Sequence, residues 1–267
     1  MSPRFLGFLF TCIALALAGC GPRETPAARG VREQTLLRGI GHELASLDPH
    51  LATQASDYSV LSALFEGLVA EDPQDLHPVP GVAETWDISA DGLVYTFHLR
   101  ANARWSNGDP VTAADFVASF RRALTPALGA ENASLLHVLR GAEDFQQGRL
   151  ADFAQVGATA LDARTLRLTL AHPAPYFLSL LNHAIWFPVH QATIERYGAL
   201  ADRANPWARP GRLVGNGPFT LQEWALGQRI VARKSATYWD AAQVRLQAIH
   251  FLPLDVETEE RAFRAGQ

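Results

Sequence analysis

A chain of 267 residues with a formal net charge of −4, its acidic and basic residues interspersed, offers no basic face for nucleic acid and no acidic tail. Its two cysteines, Cys12 and Cys20, both fall in the first twenty residues, which excludes a disulfide, a cysteine-ligated metal or a cysteine nucleophile from the body. Hydrophobic residues make up 48% of the chain, with six Trp and fourteen Phe, enough to fill one large or two ordinary domains.

The N-terminus reads as an export signal. Arg4 supplies the positive region, Phe5 to Ala18 form an apolar run too short to span a bilayer comfortably, and Leu17-Ala18-Gly19-Cys20 is a lipobox. Residues 1–20 are therefore expected to be a lipoprotein signal, with cleavage before Cys20 and acylation of its thiol. Each buried methylene contributes about 0.8 kcal/mol to membrane attachment. This predicts a protein held at a membrane in the periplasm or at the cell exterior, with 21–30 as a polar tether.

Thr35 to Ile40 has the composition of a short strand, and Ser46-Leu47-Asp48-Pro49 that of a turn in which Asp48 can cap. Apolar residues at Val60, Leu61, Leu64, Phe65 and Leu68 predict a helix from Tyr58 to about Gly67 or Val69. Asp91-Gly92 is a hairpin signal, and Leu93 to Leu99 alternate in strand period with Tyr95 and Phe97 facing inward. Trp105 to Pro110 is a tight polar turn. Thr112 and Asp115 have capping-box spacing for a helix to about Ala123, with Phe116, Val117 and Phe120 as its buried stripe. Arg121 and Arg122 suit the negative end of its dipole, and Pro126 blocks continuation.

Leu166, Leu168 and Leu170 predict another strand, and helices follow at 176–182 and 191–197. After Gly215-Asn216-Gly217-Pro218, paired strands are expected at 219–224 and 229–233, a last strand at 247–252, and a helix at 259–267. The whole is α/β, with no repeat and no strict βαβ alternation.

Chemical motifs are sparse. His183 and His190 lack both the i,i+4 spacing and the intervening Glu of a zinc hydrolase, and no Gly-x-Ser-x-Gly elbow accompanies the Ser, His and Asp residues. His98 reads as a surface histidine, and Trp86, Trp105 and Trp239 as rings that pin turns to the core. No catalytic residue, metal or cofactor is implied, and spacing favours binding over catalysis. A membrane-tethered hydrolase is the disfavoured alternative.

Pro80-Gly81-Val82-Ala83-Glu84-Thr85-Trp86, Tyr95 to Arg100 and Trp105 to Phe116 resemble the signature stretch of the family-5 extracellular solute-binding proteins of ABC importers. Ser46 to His50, Leu64 to Leu68, Gly215 to Phe219 and Tyr238-Trp239-Asp240 continue the resemblance in the family's order, from about Thr35 to Gln267. It implies a periplasmic binding protein-like clamshell of type II, in its three-domain peptide-binding variety. On that pattern residues 30–66 and 172–267 belong to domain I, and 67–171 form an inserted domain II. Domain III and the rest of domain I are then expected to be missing. The chain is thus expected to be the N-terminal half of such a protein, and a truncated, binding-incompetent fragment stays an open reading.

The resemblance also implies the ligand and partners. It leans to oligopeptides, while dipeptides, nickel chelates, haem and sugars are other ligands of the family, and the partners are the permease subunits of an importer. A monomer is expected. Ligand contacts carry over to the loop with Thr53, Gln54 and Ala55, and to Asn132 and Leu135 in the inserted domain. Thr53 and Ala55 stand where peptide-binding members have an acidic and an apolar contact residue. Asn132 and Leu135 stand where aromatic residues are common.

Overall fold

The structure is a computed structural model that describes residues 24–266. The signal, the lipobox and Cys20 lie outside the described residues. None of the described helices is long and apolar enough to cross a membrane.

The first helix, α1 (Pro26–Glu33), occupies part of the segment expected as a tether. Thr25 Oγ1 accepts from the Ala28 N–H at 3.2 Å, Pro26 presets the first helical turn, and Arg32 pairs with Glu24 at 2.9 Å. Local capping outweighs the polar composition that suggested a tether. Beyond it come β1 (Thr35–Gly39), α2 (Ala55–Leu64), β2 (Val69–Glu71), β3 (Pro78–Pro80), β4 (Ala83–Ile88) and β5 (Val94–Leu99). Next are α3 (Ala113–Leu124), α4 (Ala142–Gln146), β6 (Ala158–Ala160), β7 (Thr165–Thr169), α5 (Phe177–Leu180) and α6 (Gln191–Tyr197). Strands β8 (Phe219–Ala225), β9 (Arg229–Lys234) and β10 (Ala248–Leu252) lead to α7 (Val256–Arg264).

The strands form two four-stranded sheets and one small hairpin. In the first sheet, ordered β1-β10-β9-β8, β1 runs parallel to β10 with Thr35 opposite Ala248, and the other pairs are antiparallel. The second, ordered β4-β5-β7-β6, is antiparallel throughout. On β5 the alternation puts Tyr95 and Phe97 inside as expected, with Phe97 fully buried. The hairpin β2–β3 was not anticipated, because two of the three residues of β3 are proline.

Buried residues fall into two clusters. One gathers the sheet β4-β5-β7-β6 with Phe116 and Phe120 of α3 and also takes Phe177, Leu181, Ile185 and Trp186. The other joins Leu61, Leu64 and Phe65 to Trp207, Ile230 and Phe251.

Two local structures set the positions that matter for the site. Helix α2 stops at Leu64, short of the expected end, because the turn Gly215-Asn216-Gly217 lies across its last carbonyl. Gly217 N donates to Leu64 O at 3.0 Å, and a Cβ on Gly215 would stand 2.1 Å from that oxygen. Only glycine permits this approach. Helix α3 starts as the spacing required. Asp115 Oδ2 accepts from the Thr112 N–H at 2.7 Å, and Thr112 Oγ1 accepts from the Asp115 N–H at 3.4 Å. Thr112→Ala is expected to cost about 1 kcal/mol, read as a lower urea midpoint at unchanged slope.

Candidate functional site

The loop that follows β1 is held by a buried ion pair. Arg122 grips both oxygens of Asp48, at 3.0 Å and 2.6 Å, and its Nε donates to Leu200 O at 2.7 Å. Trp207 Nε1 donates to the same carboxylate at 3.2 Å. Arg122 lies in the last turn of α3, as its position suggested, and turns inward with 4% of its surface exposed. Burial works to raise the Asp48 carboxyl, and the charge and hydrogen bonds of Arg122 outweigh it and hold the carboxyl below its ordinary value. His50 completes the cluster. Its Nδ1 lies 2.8 Å from Arg122 Nη1, which can only donate, so the ring is neutral and its Nε2–H donates to Phe187 O at 3.1 Å. Burial, then the Arg122 charge, push this imidazole down to about 4.

From that anchor the chain runs into the expected contact loop. Asp57 Oδ2 accepts from the N–H groups of Thr53 and Gln54, both at 3.2 Å, which fixes the loop onto the start of α2. Helix α2 thus begins at Ala55 rather than Tyr58. Exposed Thr53 and Gln54 line a cleft of about 490 Å³ with Ala52, Tyr58, Glu71, Ser179, Asn182, His183 and Ala184. Asn132 reaches this loop from the other cluster, its Nδ2 donating to Ala52 O at 2.9 Å. Leu135 does not share the cleft. It lines an adjoining groove of about 270 Å³ with Tyr176 and Leu180, so α5 separates the two, with Ser179 on the cleft side.

The cleft is built for holding. Burial, then the Glu71 carboxylate, push the Tyr58 hydroxyl up to about 12, so it stays a donor. Burial also lowers the His183 imidazole. His183 Nδ1 accepts from the Ile185 N–H at 3.1 Å, so in the neutral ring the proton sits on Nε2. A ring so committed cannot take a proton from Ser179, and none of the hydrogen bonds among the described residues joins the two.

Four motifs that carried the resemblance meet beside this wall. Glu66 accepts from Tyr238 Oη at 2.5 Å and from Trp239 Nε1 at 2.6 Å, while Asn216 brackets its backbone, accepting from Glu66 N and donating to Glu66 O. The Arg100 guanidinium lies 3.6 Å over the Trp239 ring. Burial raises the Glu66 carboxyl to about 7 despite its two donors.

The histidines excluded as metal ligands have other partners. His190 Nδ1 accepts from the Thr193 N–H at 3.3 Å, and Nε2 faces Asp109 at 3.2 Å. His98 pairs with Asp87 at 2.8 Å on the surface. Among the described residues the one cluster with metal-ligand spacing is Asp72, Asp75 and His77 on the exposed β2–β3 turn.

Of the residues that line the cleft, the sequence pointed to Thr53 and Gln54 and not to Tyr58, Glu71, Ser179, Asn182 and His183. Tyr58 was read only as the start of a helix and His183 only as a failed metal ligand. No local pattern marks the other three as neighbours of residue 53.

The chain is 40% identical over 248 residues to the periplasmic oligopeptide-binding protein OppA of Escherichia coli, covering 91% of this chain and 44% of the relative. It superposes on Haemophilus influenzae OppA in complex with RPPGFSPFR with a TM-score of 0.82 and 33% identity, over 88% of this chain and 45% of that one. Against the Escherichia coli murein tripeptide binding protein MppA the TM-score is 0.80 at 36% identity, over 87% and 44%. The chain spans about half the length of the relatives it matches, and its two sheets are those of a type II periplasmic binding protein-like α/β clamshell. The description "Bacterial extracellular solute-binding proteins, family 5 Middle" matches residues 77–267, and with these similarities the chain belongs to that family.

Proposed function

We propose that this chain forms one wall of a peptide-binding site in the solute-binding component of an ABC importer, capturing oligopeptides outside the cytoplasmic membrane and passing them to a permease. The observation that carries the reading is the cleft between the 52–54 loop and residues 179–184, whose polar groups are poised to bond and not to react. Similarity to proteins named for oligopeptides and for a murein tripeptide supports a peptide as the ligand. Thr53, Gln54 and Ala55 contact it directly, Asn132 holds the Ala52 carbonyl in place, and Leu135 receives a side chain in the adjoining groove.

The segments 30–66 and 172–267 make up domain I and 67–171 the inserted domain II. Attachment is through acylated Cys20. The chain acts as a monomer and leaves the peptide intact, the one imidazole of the cleft being committed to the Ile185 N–H.

An isotopically labelled chain titrated with trialanine tests the reading. Amide shifts confined to residues 52–58, 71, 132–138 and 179–184, with trialanine recovered unchanged, are the expected result. Shifts elsewhere, no shifts at all, or recovery of free alanine would overturn it.

A further inference from the structure

Asn182 is the one residue of this cleft whose buried side-chain polar atoms have no partner among the described residues. Its side chain is buried, with 5% of the residue's surface exposed, and neither Oδ1 nor Nδ2 finds a hydrogen-bond partner among the described residues. Buried carboxamides are ordinarily satisfied, and leaving both a donor and an acceptor unpaired destabilises the fold. An apolar residue of similar size would suit the position better if packing were its only purpose. Leu181 before it and Ala184 after it are buried apolar residues that raise no such cost.

The position explains the choice. Asn182 follows α5 and lines the same cleft as Thr53, Gln54 and Ser179. Its two amide atoms are shielded from solvent, so meeting a ligand takes a rotation about χ1 or χ2 that exchanges an unpaired state for a paired one. A carboxamide presents one donor and one acceptor side by side. Its complement is another amide, either a peptide unit or an Asn or Gln side chain, whereas a carboxylate only accepts and an ammonium only donates.

We infer that Asn182 is a ligand-reading residue of this site, pairing its carboxamide with an amide group of the bound peptide. The inference rests on the peptide-binding reading above and sharpens it. It makes Asn182 a specificity determinant that lowers the stability of the free protein and raises the affinity for amide-bearing ligands.

The test compares the wild-type chain with Asn182→Leu, using trialanine as probe. Asn182→Leu should raise the urea midpoint and weaken trialanine binding by about tenfold, because two neutral hydrogen bonds are lost. In the wild-type chain the Asn182 side-chain NH₂ resonances should shift on saturation, a readout that needs no variant. If the cleft amides shift with trialanine while the Asn182 NH₂ resonances stay still and Asn182→Leu binds equally well, the inference fails and the peptide-binding reading stands. If no cleft amide shifts in the wild-type chain, both fail together.

Discussion

Replacing Arg122 by methionine is expected to cost the fold about 3–5 kcal/mol, because it strands the Asp48 carboxylate in a site where 3% of that residue is exposed. Methionine keeps much of the apolar stem, so the loss reports the charge rather than a cavity. The guanidinium also serves Leu200 O and the His50 ring, and both lose a donor in the same step. Urea unfolding should show a much lower midpoint with the slope preserved. Adding Asp48→Asn should return part of the loss, since the neutral amide no longer carries a buried charge. A fall below about 1 kcal/mol for Arg122→Met would place the pair with ordinary solvated surface bridges and sink the argument.

The second large effect is a pair of opposing pH dependences. His50 is pushed down to about 4 in the folded chain from an ordinary value of 6.5, so between these limits the unfolded chain binds more protons. Its contribution is complete above pH 6.5 and is lost as pH falls towards 4, about 3 kcal/mol in all. Glu66 is raised from 4.5 to about 7, so in that window the folded chain binds more protons, and a similar contribution disappears as pH rises. When protonated, Glu66 can donate to the Tyr238 oxygen while Trp239 Nε1 keeps donating to the other carboxyl oxygen. The two slopes nearly cancel between pH 4.5 and 6.5. His50→Gln, which removes one, should leave stability falling with pH, and Glu66→Gln should leave it rising. Urea unfolding at pH 4.5, 5.5, 6.5 and 7.5 measures each, and two variants that both keep the wild-type profile would refute the assignment.

These two predictions rest on contacts that sequence reading did not anticipate. The capping box of α3 was legible because Thr112 and Asp115 are three residues apart and their geometry is local. Asp48 and Arg122 satisfy equally strong demands across 74 residues, and a turn carboxylate and a helix-end arginine each have a sufficient local explanation that hides the other. The same holds at the cleft. The 53–55 loop could be reached through motif resemblance, whereas Asn182 sits in an apolar-rich stretch where nothing marks its amide as unpaired. Strand alternation on β5 was readable, but the end of α2 was not, since it is set by a glycine turn 150 residues later.

The pairing of β1 with β10 sets an order of events at the ribosome. The sheet β4-β5-β7-β6 is complete once residue 169 has emerged, and all its strands lie within the preceding stretch from residue 83. Strand β1 emerges first and waits for Ala248 to Leu252, its parallel neighbour. At about 5–20 residues per second that interval lasts on the order of 10–40 s. During it the earliest strand of the described body has no partner, so the stretch from residue 83 to 169 is able to form its sheet while β1 remains unpaired and accessible to a holding chaperone.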